Sequence, residues 1–242
     1  MNKLEILEEH LEICDSTMEE VKKRFQNEEI GFITTKIQKS GRGSQGRSWT
    51  CVEGNLFMTF SYPKNLAIGL NPGLWPLAAG IALYEAAQSF IISPSPDILR
   101  LKWPNDLLLQ GRKCAGMLLE GWQQRILVGV GVNIHGAPLL GPQERPTACL
   151  GELGFLSDNT IPLARLFCQK YLELLNADNP NARVMEKWVD CIDWSHHVIL
   201  RSPSPPWITG TELKPLSLDS SGGLWVQDSN GVKKMLVASY LY

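Results

Sequence analysis

Apolar positions recur along the chain with two periods, and the switches between them divide it into elements. Met18, Val21 and Phe25 fall on one helical face, and Ser16-Thr17-Met18-Glu19 has the form of a capping box, which predicts a helix starting at Ser16. Gly31 to Gln38 and Asn55 to Tyr62 read as strands on either side of a Gly- and Arg-rich loop, Lys39 to Thr50. Pro72 to Ile92 is apolar on most sides and predicts a long buried helix. Ile98 to Trp103 alternates, with Leu99, Leu101 and Trp103 on one face and Arg100 and Lys102 on the other, and Pro104 ends it. Asp106 to Gln110 and Lys113 to Glu120 form an expected hairpin around Gly111-Arg112, followed by a strand from Arg125 to Ile134. Thr160 as N-cap and Pro162 in the first turn open a helix reaching Asn176, and a further helix is expected over Ala182 to Ile192.

After Trp194 the pattern changes to clustered prolines and short strand candidates broken by Ser220-Ser221-Gly222-Gly223 and Asn230-Gly231. The expected organisation is a catalytic unit over 1–194 and a small β unit over 195–242. Strands and helices mix without strict alternation, so the fold class is α+β, a mixed sheet flanked by helices.

Composition narrows the function classes. With 44% hydrophobic residues in 242, the chain can bury one substantial core. A net charge of −2 gives no global case for a nucleic-acid or membrane partner. The six scattered cysteines lack metal-ligand spacing, so neither a metal cluster nor a disulfide framework is expected, and they fit a reducing, cytoplasmic compartment. The acidic start, MNKLEILEEHLEICDSTMEE, is unlike a targeting peptide. Pro76 to Ile92, the longest apolar run, is interrupted by Glu85, Gln88 and Ser89 and does not read as a membrane span.

Three stretches carry chemistry. In Ser40-Gly41-Arg42-Gly43-Ser44-Gln45-Gly46-Arg47-Ser48-Trp49, glycines let the backbone approach a ligand, two arginines suit an anion and Trp49 offers a stacking plane. A solvated flexible loop fits that composition equally well, and the order matches neither a P-loop nor a Rossmann turn. Lys102-Trp103-Pro104-Asn105-Asp106, with Lys113 beyond it, places cations beside one carboxylate, as a triphosphate and its Mg²⁺ require. An ordinary charged surface strand is the alternative. In Leu127-Val128-Gly129-Val130-Gly131-Val132-Asn133 the valines share one face while Gly129, Gly131 and Asn133 share the other. A strand face without side chains implies that a ligand or a packed helix lies against it. Gly116 makes a similar gap in the preceding strand.

Together these stretches resemble the biotin–protein ligase family, whose pattern is a glutamine before a GRGRRGR-x-W loop, then KWPND, K-x-x-G-[IM]-L-x-E and G-x-G-x-N. The corresponding runs are Gln38 with GRGSQGRSW, KWPNDLLLQGRKCAGMLLEG and GVGVN, preceded by Asp15-Ser16-Thr17, and the likeness extends over residues 13 to 194. It implies a biotin/lipoate-ligase-type catalytic fold with a small SH3-like C-terminal unit. It also implies ATP-dependent attachment of biotin to a lysine of a biotin carboxyl carrier domain of a biotin-dependent carboxylase, through biotinyl-5′-AMP and with Mg²⁺.

Carried over residue by residue, Ser16, Thr17 and Gln38 would hold the biotin ureido group, joined in the biotin site by Met18, Gly116 and Gly131. Gly41, Arg42, Gly43, Ser44 and Arg47 would fold over biotin and adenylate. Trp49 would lie against adenine, Lys102, Asn105 and Asp106 would position Mg-ATP, Lys113 would neutralise the α-phosphate, and Asn133 would contact the nucleotide. Lys113, Asp106 and Arg47 are the candidate catalytic groups. Strict pleating puts Lys113 and Gly116 on opposite faces, so both reach one ligand only through a turn or a bulge.

The chain departs from the family pattern at Met18, which replaces an asparagine, at Ser44 and Gln45, which replace paired arginines, and at Ala238-Ser239-Tyr240, where a Gly-Glu is usual. There is no room before Asp15 for the helix-turn-helix of repressor-type members, so no DNA partner is expected, and a homodimer is left open. A lipoate or octanoate enzyme of the same fold would show an RRxSGGG-type stretch that is absent here. A degenerate, non-catalytic binding module is the other alternative.

Overall fold

A computed structural model describes residues 5–25, 29–92, 95, 97–139, 146–157 and 160–238. Seven strands among them form one sheet in the order β1-β2-β3-β7-β6-β5-β4: β1 (Leu7–Cys14), β2 (Gly31–Gln38), β3 (Leu56–Pro63), β4 (Leu99–Lys102), β5 (Asp106–Leu109), β6 (Arg112–Trp122) and β7 (Arg125–Val132). β1 and β2 are parallel, and every other neighbouring pair is antiparallel. The mixed sheet with flanking helices matches the expected class.

The sheet has two different faces. Val128, Val130 and Val132 join the main core with Phe32, Met58 and Phe60, under helices α2 (Trp75–Gln88), α3 (Ile161–Leu175) and α4 (Pro180–Cys191). Opposite them lies a short helix, α1 (Thr17–Arg24), whose Met18, Val21 and Phe25 pack on Ile33 and Leu127. This second face is only partly covered, and Gly129, Gly131 and Asn133 belong to it.

Several expectations are corrected. The long helix is shorter than its apolar run: Pro72–Leu74 is a 3₁₀ turn, α2 ends at Gln88, and Ile91 bridges to Phe155. β1 went unpredicted because it is an edge strand in which Glu8, Glu9 and Glu12 disguise the alternation. Ser16 stands at the N-cap of α1, but its hydroxyl makes no capping bond, so the capping box does not form. Thr160 likewise caps α3 without a side-chain bond. Lys102, which alternation places with Arg100 on the polar face of its strand, is 4% exposed, so the alternative of a water-facing charged strand does not hold there.

Beyond α4, β8 (Val198–Ile199), β9 (Glu212–Leu218), β10 (Leu224–Gln227) and β11 (Lys233–Leu236) form a second sheet, antiparallel throughout. Glycines at the expected breaks, Gly222 and Gly231, have positive φ and make its turns. This sheet docks beside the β4–β5 turn, where the Trp103 Nε1–H donates to Gly222 O at 3.0 Å. Leu213, Leu224 and Val226 continue the main core. Ser239 and Tyr240, the departure noted at the tail, lie outside the described residues.

Candidate active site

Cross-strand register assembles the site on the half-covered face. Asp106 pairs with Gly116, Gly116 with Gly131, and Gly131 with Phe57, so residues from four strands stand in one row. In the next row Leu118 opposes Gly129, which opposes Thr59. The glycines lower the floor, and a cavity of about 450 Å³ opens above it. That volume lies within the ordinary range for a small-molecule site.

The glycine face is in contact with protein side chains. A Cβ at Gly131 would stand 2.5 Å from Trp49 Cε2, and one at Gly129 would stand 2.9 Å from Met18 Cε. Trp49 therefore lies flat on the floor, with the Lys113 ammonium 5.3 Å from its ring centre. The Trp49 indole N–H, packed towards Gly131, is buried and has no hydrogen-bond partner among the described residues.

At one end of the cavity the groups are neutral and polar. Gln38 Oε1 accepts from the Thr17 backbone N–H at 2.9 Å and from the Thr17 hydroxyl at 3.1 Å, while Thr17 and Thr59 hydroxyls lie 2.9 Å apart. With its oxygen so engaged, Gln38 offers its amide hydrogens. Ser16, which makes no capping bond, lines the cavity here. Gly41 does not line it, but a side chain there would collide with Gln38 Nε2 and Trp49 O, so Gly41 allows the loop to close down on both.

At the other end the groups are charged. Register slips between Leu107 and Leu108, with Leu107 opposite Ala115 and Leu108 opposite Lys113. This bulge brings Lys113 to the same face as Gly116 despite their spacing, and Lys113 Nζ meets Asp106 Oδ1 at 2.5 Å. The bulged Cys114 points inward, where burial pushes its thiol well above the usual range and leaves it an unreactive core group.

The Arg/Gly loop is itself a small hairpin. Arg42 bridges Ser48, Gly43 N–H donates to Arg47 O at 2.7 Å, and Trp49 N–H donates to Gly41 O at 2.8 Å. Arg42 is tethered to Glu19 at 2.7 Å and reaches Glu120 at 3.4 Å. Arg47 donates to the Ser44 carbonyl and hydroxyl at 3.0 and 2.7 Å, so Ser44 serves as a partner for the remaining arginine.

Of the residues singled out from the sequence, Ser16, Thr17, Met18, Gln38, Arg42, Gly43, Ser44, Arg47, Trp49, Asn105, Asp106, Lys113, Gly116, Gly131 and Asn133 all line this cavity, whereas Lys102 does not. The Asn105 amide donates to Met117 O at 2.6 Å, and the Asn133 amide donates to Ala148 O at 3.1 Å. Both asparagines thus tie down strand ends as well as lining the site. Asn55, missed from the sequence, accepts from the N–H groups of Ile134, His135 and Gly136 and shapes the chain after β7. Thr59 and Arg201 were also missed. A lone threonine in an apolar strand was a signal for the first, but no local pattern marks the second.

Residues 11–136, which include the α1 start, the loop, the Lys113 bulge and the glycine strand, match the biotin/lipoate A/B protein ligase family. The chain belongs to this family. Among its relatives, a biotin–[acetyl-CoA-carboxylase] ligase of Paracoccus denitrificans is 36% identical over 137 residues, covering 52% of this chain and 55% of the relative. One from Mycobacterium tuberculosis is 35% identical over 107 residues, 44% of this chain and 40% of the relative. The chain thus spans about half the length of these curated relatives. A biotin protein ligase structure from Leishmania major in complex with biotin superposes with a TM-score of 0.74 at 25% identity, over 96% of this chain and 98% of that one. The Aquifex aeolicus enzyme in complex with biotin and ATP shares the fold, with a TM-score of 0.76 at 23% identity over 96% and 95%.

Proposed function

We propose that the chain activates biotin with ATP and transfers the biotinyl group to a lysine of a biotin carboxyl carrier domain. The observation that carries this reading is the polarity of this cavity from end to end. Neutral hydrogen-bonding groups at Ser16, Thr17 and Gln38 suit a ureido ring, and Lys113, Arg47 and Arg42 suit phosphate. Trp49 lies between the two ends, its face available to a purine.

In the first step a biotin carboxylate oxygen attacks the α-phosphorus. The bond from that phosphorus to the bridging oxygen breaks, and pyrophosphate leaves with the electron pair. Negative charge grows on the phosphate oxygens, where the Lys113 ammonium and the Arg47 guanidinium stabilise it. In the second step a carrier lysine amine attacks the acyl carbonyl, the acyl C–O bond breaks, the amine loses a proton and AMP departs. The hairpin over the cavity keeps water from the mixed anhydride between the steps. No thiol of the chain is needed as a nucleophile.

Asp106 is the acidic residue lining the cavity, and no cluster of three potential metal ligands exists among the described residues. A single carboxylate fits Mg²⁺ that arrives on a triphosphate and keeps most of its ligands from phosphate and water. Bound there, Mg²⁺ would neutralise phosphate charge.

The test is to incubate the chain with ATP, Mg²⁺, a carrier domain and either biotin or lipoate, and to weigh the carrier by mass spectrometry. A carrier heavier by one biotinyl group, and only with biotin, is expected. Attachment of lipoate, or no attachment, would overturn the reading.

A further inference from the structure

Four cations line the cavity, and their partners differ. Lys113 is paired with Asp106, Arg42 is held by Glu19 and Glu120, and Arg47 is bonded to Ser44. Arg201 also lines the cavity, yet it is exposed and has no ion pair or side-chain hydrogen bond among the described residues. It comes from the chain just beyond β8, outside residues 11–136 that match the family. We propose that Arg201 binds the β- and γ-phosphates of ATP, making the second sheet a functional part of the nucleotide site. This rests on the ligase reading of the cavity.

Two features argue for that end of the substrate. The first is the direction of approach. The chain reaches Arg201 from the β4 edge of the sheet, where Ile192 bridges Leu101 and Trp103 is bonded to Gly222. Asp106 on β5 and Lys113 on β6 lie in the half of the sheet next to that edge, whereas Thr17 and Gln38 lie towards the β1 edge, at the other end of the strand order. The second is exposure. The α-phosphate must sit where its anhydride is shielded from water, near Lys113, whose side chain is 20% exposed. The departing pyrophosphate must reach solvent, and an exposed guanidinium at the rim suits it. An arginine fork binds two phosphate oxygens at once with a full positive charge, which the Ser44 hydroxyl cannot do.

Calorimetry on the full chain tests this by comparing Mg-ATP, AMP and biotin binding in wild type, Arg201→Gln and Arg201→Lys. AMP lacks the two outer phosphates and serves as the control nucleotide. Arg201→Gln is expected to weaken Mg-ATP binding roughly three- to tenfold, the loss of one charge-assisted contact at a solvent edge. AMP and biotin binding should stay unchanged, and Arg201→Lys should recover part of the loss. Unaltered Mg-ATP binding in Arg201→Gln overturns the proposal. So does an equal loss for ATP, AMP and biotin, which marks a packing role. A wild-type chain that binds Mg-ATP through Arg201 yet biotinylates no carrier leaves the contact standing and retires only the ligase reading. A wild-type chain that binds no Mg-ATP overturns both.

Discussion

Lys113 makes two contacts that fix its ammonium in place, an ion pair with Asp106 and a position over the Trp49 ring. Its charge is therefore oriented before substrate arrives, the condition under which a single group contributes most to a transition state. Lys113→Ala is expected to slow pyrophosphate formation on the order of 100- to 1,000-fold while biotin affinity changes little. Near-normal release in single-turnover kinetics would remove Lys113 from the chemistry. Gly131 acts through Trp49: a valine there suits the strand, but its Cβ would stand 2.5 Å from the indole. Gly131→Val should fold, displace Trp49 and weaken nucleotide binding at least as much as biotin binding. Unchanged Mg-ATP affinity in a folded variant would mean that Trp49 does not support the nucleotide.

At the scale of elements, the loop hairpin and α1 are coupled through Glu19. Its carboxyl is held below the ordinary range, first by the Lys22 hydrogen bond and then by the charges of Lys22 and Arg42. A depressed carboxylate pKa means that the contact is complete above the ordinary carboxylate range and is lost as pH falls through the depressed value. Exchange protection of backbone amides 41–48, corrected for intrinsic rate, should therefore fall in that acidic window. In Glu19→Gln protection should be low at every pH. A wild-type profile that stays flat through the window would show that Arg42 is held by something else. The bulge between Leu107 and Leu108 is a second device at this scale. It turns Lys113 to the face of Gly116, and no substitution at Lys113 itself would reproduce that placement.

For the whole molecule, the question is how firmly the second sheet is fixed. Gly73, in the 3₁₀ turn before α2, lies against the Ser221 carbonyl so closely that a Cβ has no room. Gly73→Ala should cost about 1–3 kcal/mol by overpacking this contact, read as a lower denaturation midpoint. If the second sheet also positions Arg201, the same variant should weaken Mg-ATP binding more than AMP binding. A variant as stable as wild type would show that the sheet shifts freely at this contact.

Much of the site was legible in the sequence because its signals are local. Alternation placed the valines of β7 on one face and its glycines on the other. Turn residues marked the hairpin after Asp106 and the breaks in the second sheet. The conflict between Lys113 and Gly116 was visible as a spacing that only a bulge resolves. What the sequence left undecided depends on partners distant along the chain. Ser16 reads as a cap or as a ligand group, and only the packed structure shows that its hydroxyl makes no cap. Gly131 opposes empty space or a side chain, and only the fold lays Trp49 on it. The row from Asp106 through Gly116 and Gly131 to Phe57 exists because three long-range registers agree. Arg201 enters the cavity because the second sheet docks at the β4–β5 turn. Periodicity reports which face a residue occupies. Register and docking decide what that face meets, and they are set by contacts between segments far apart in the chain.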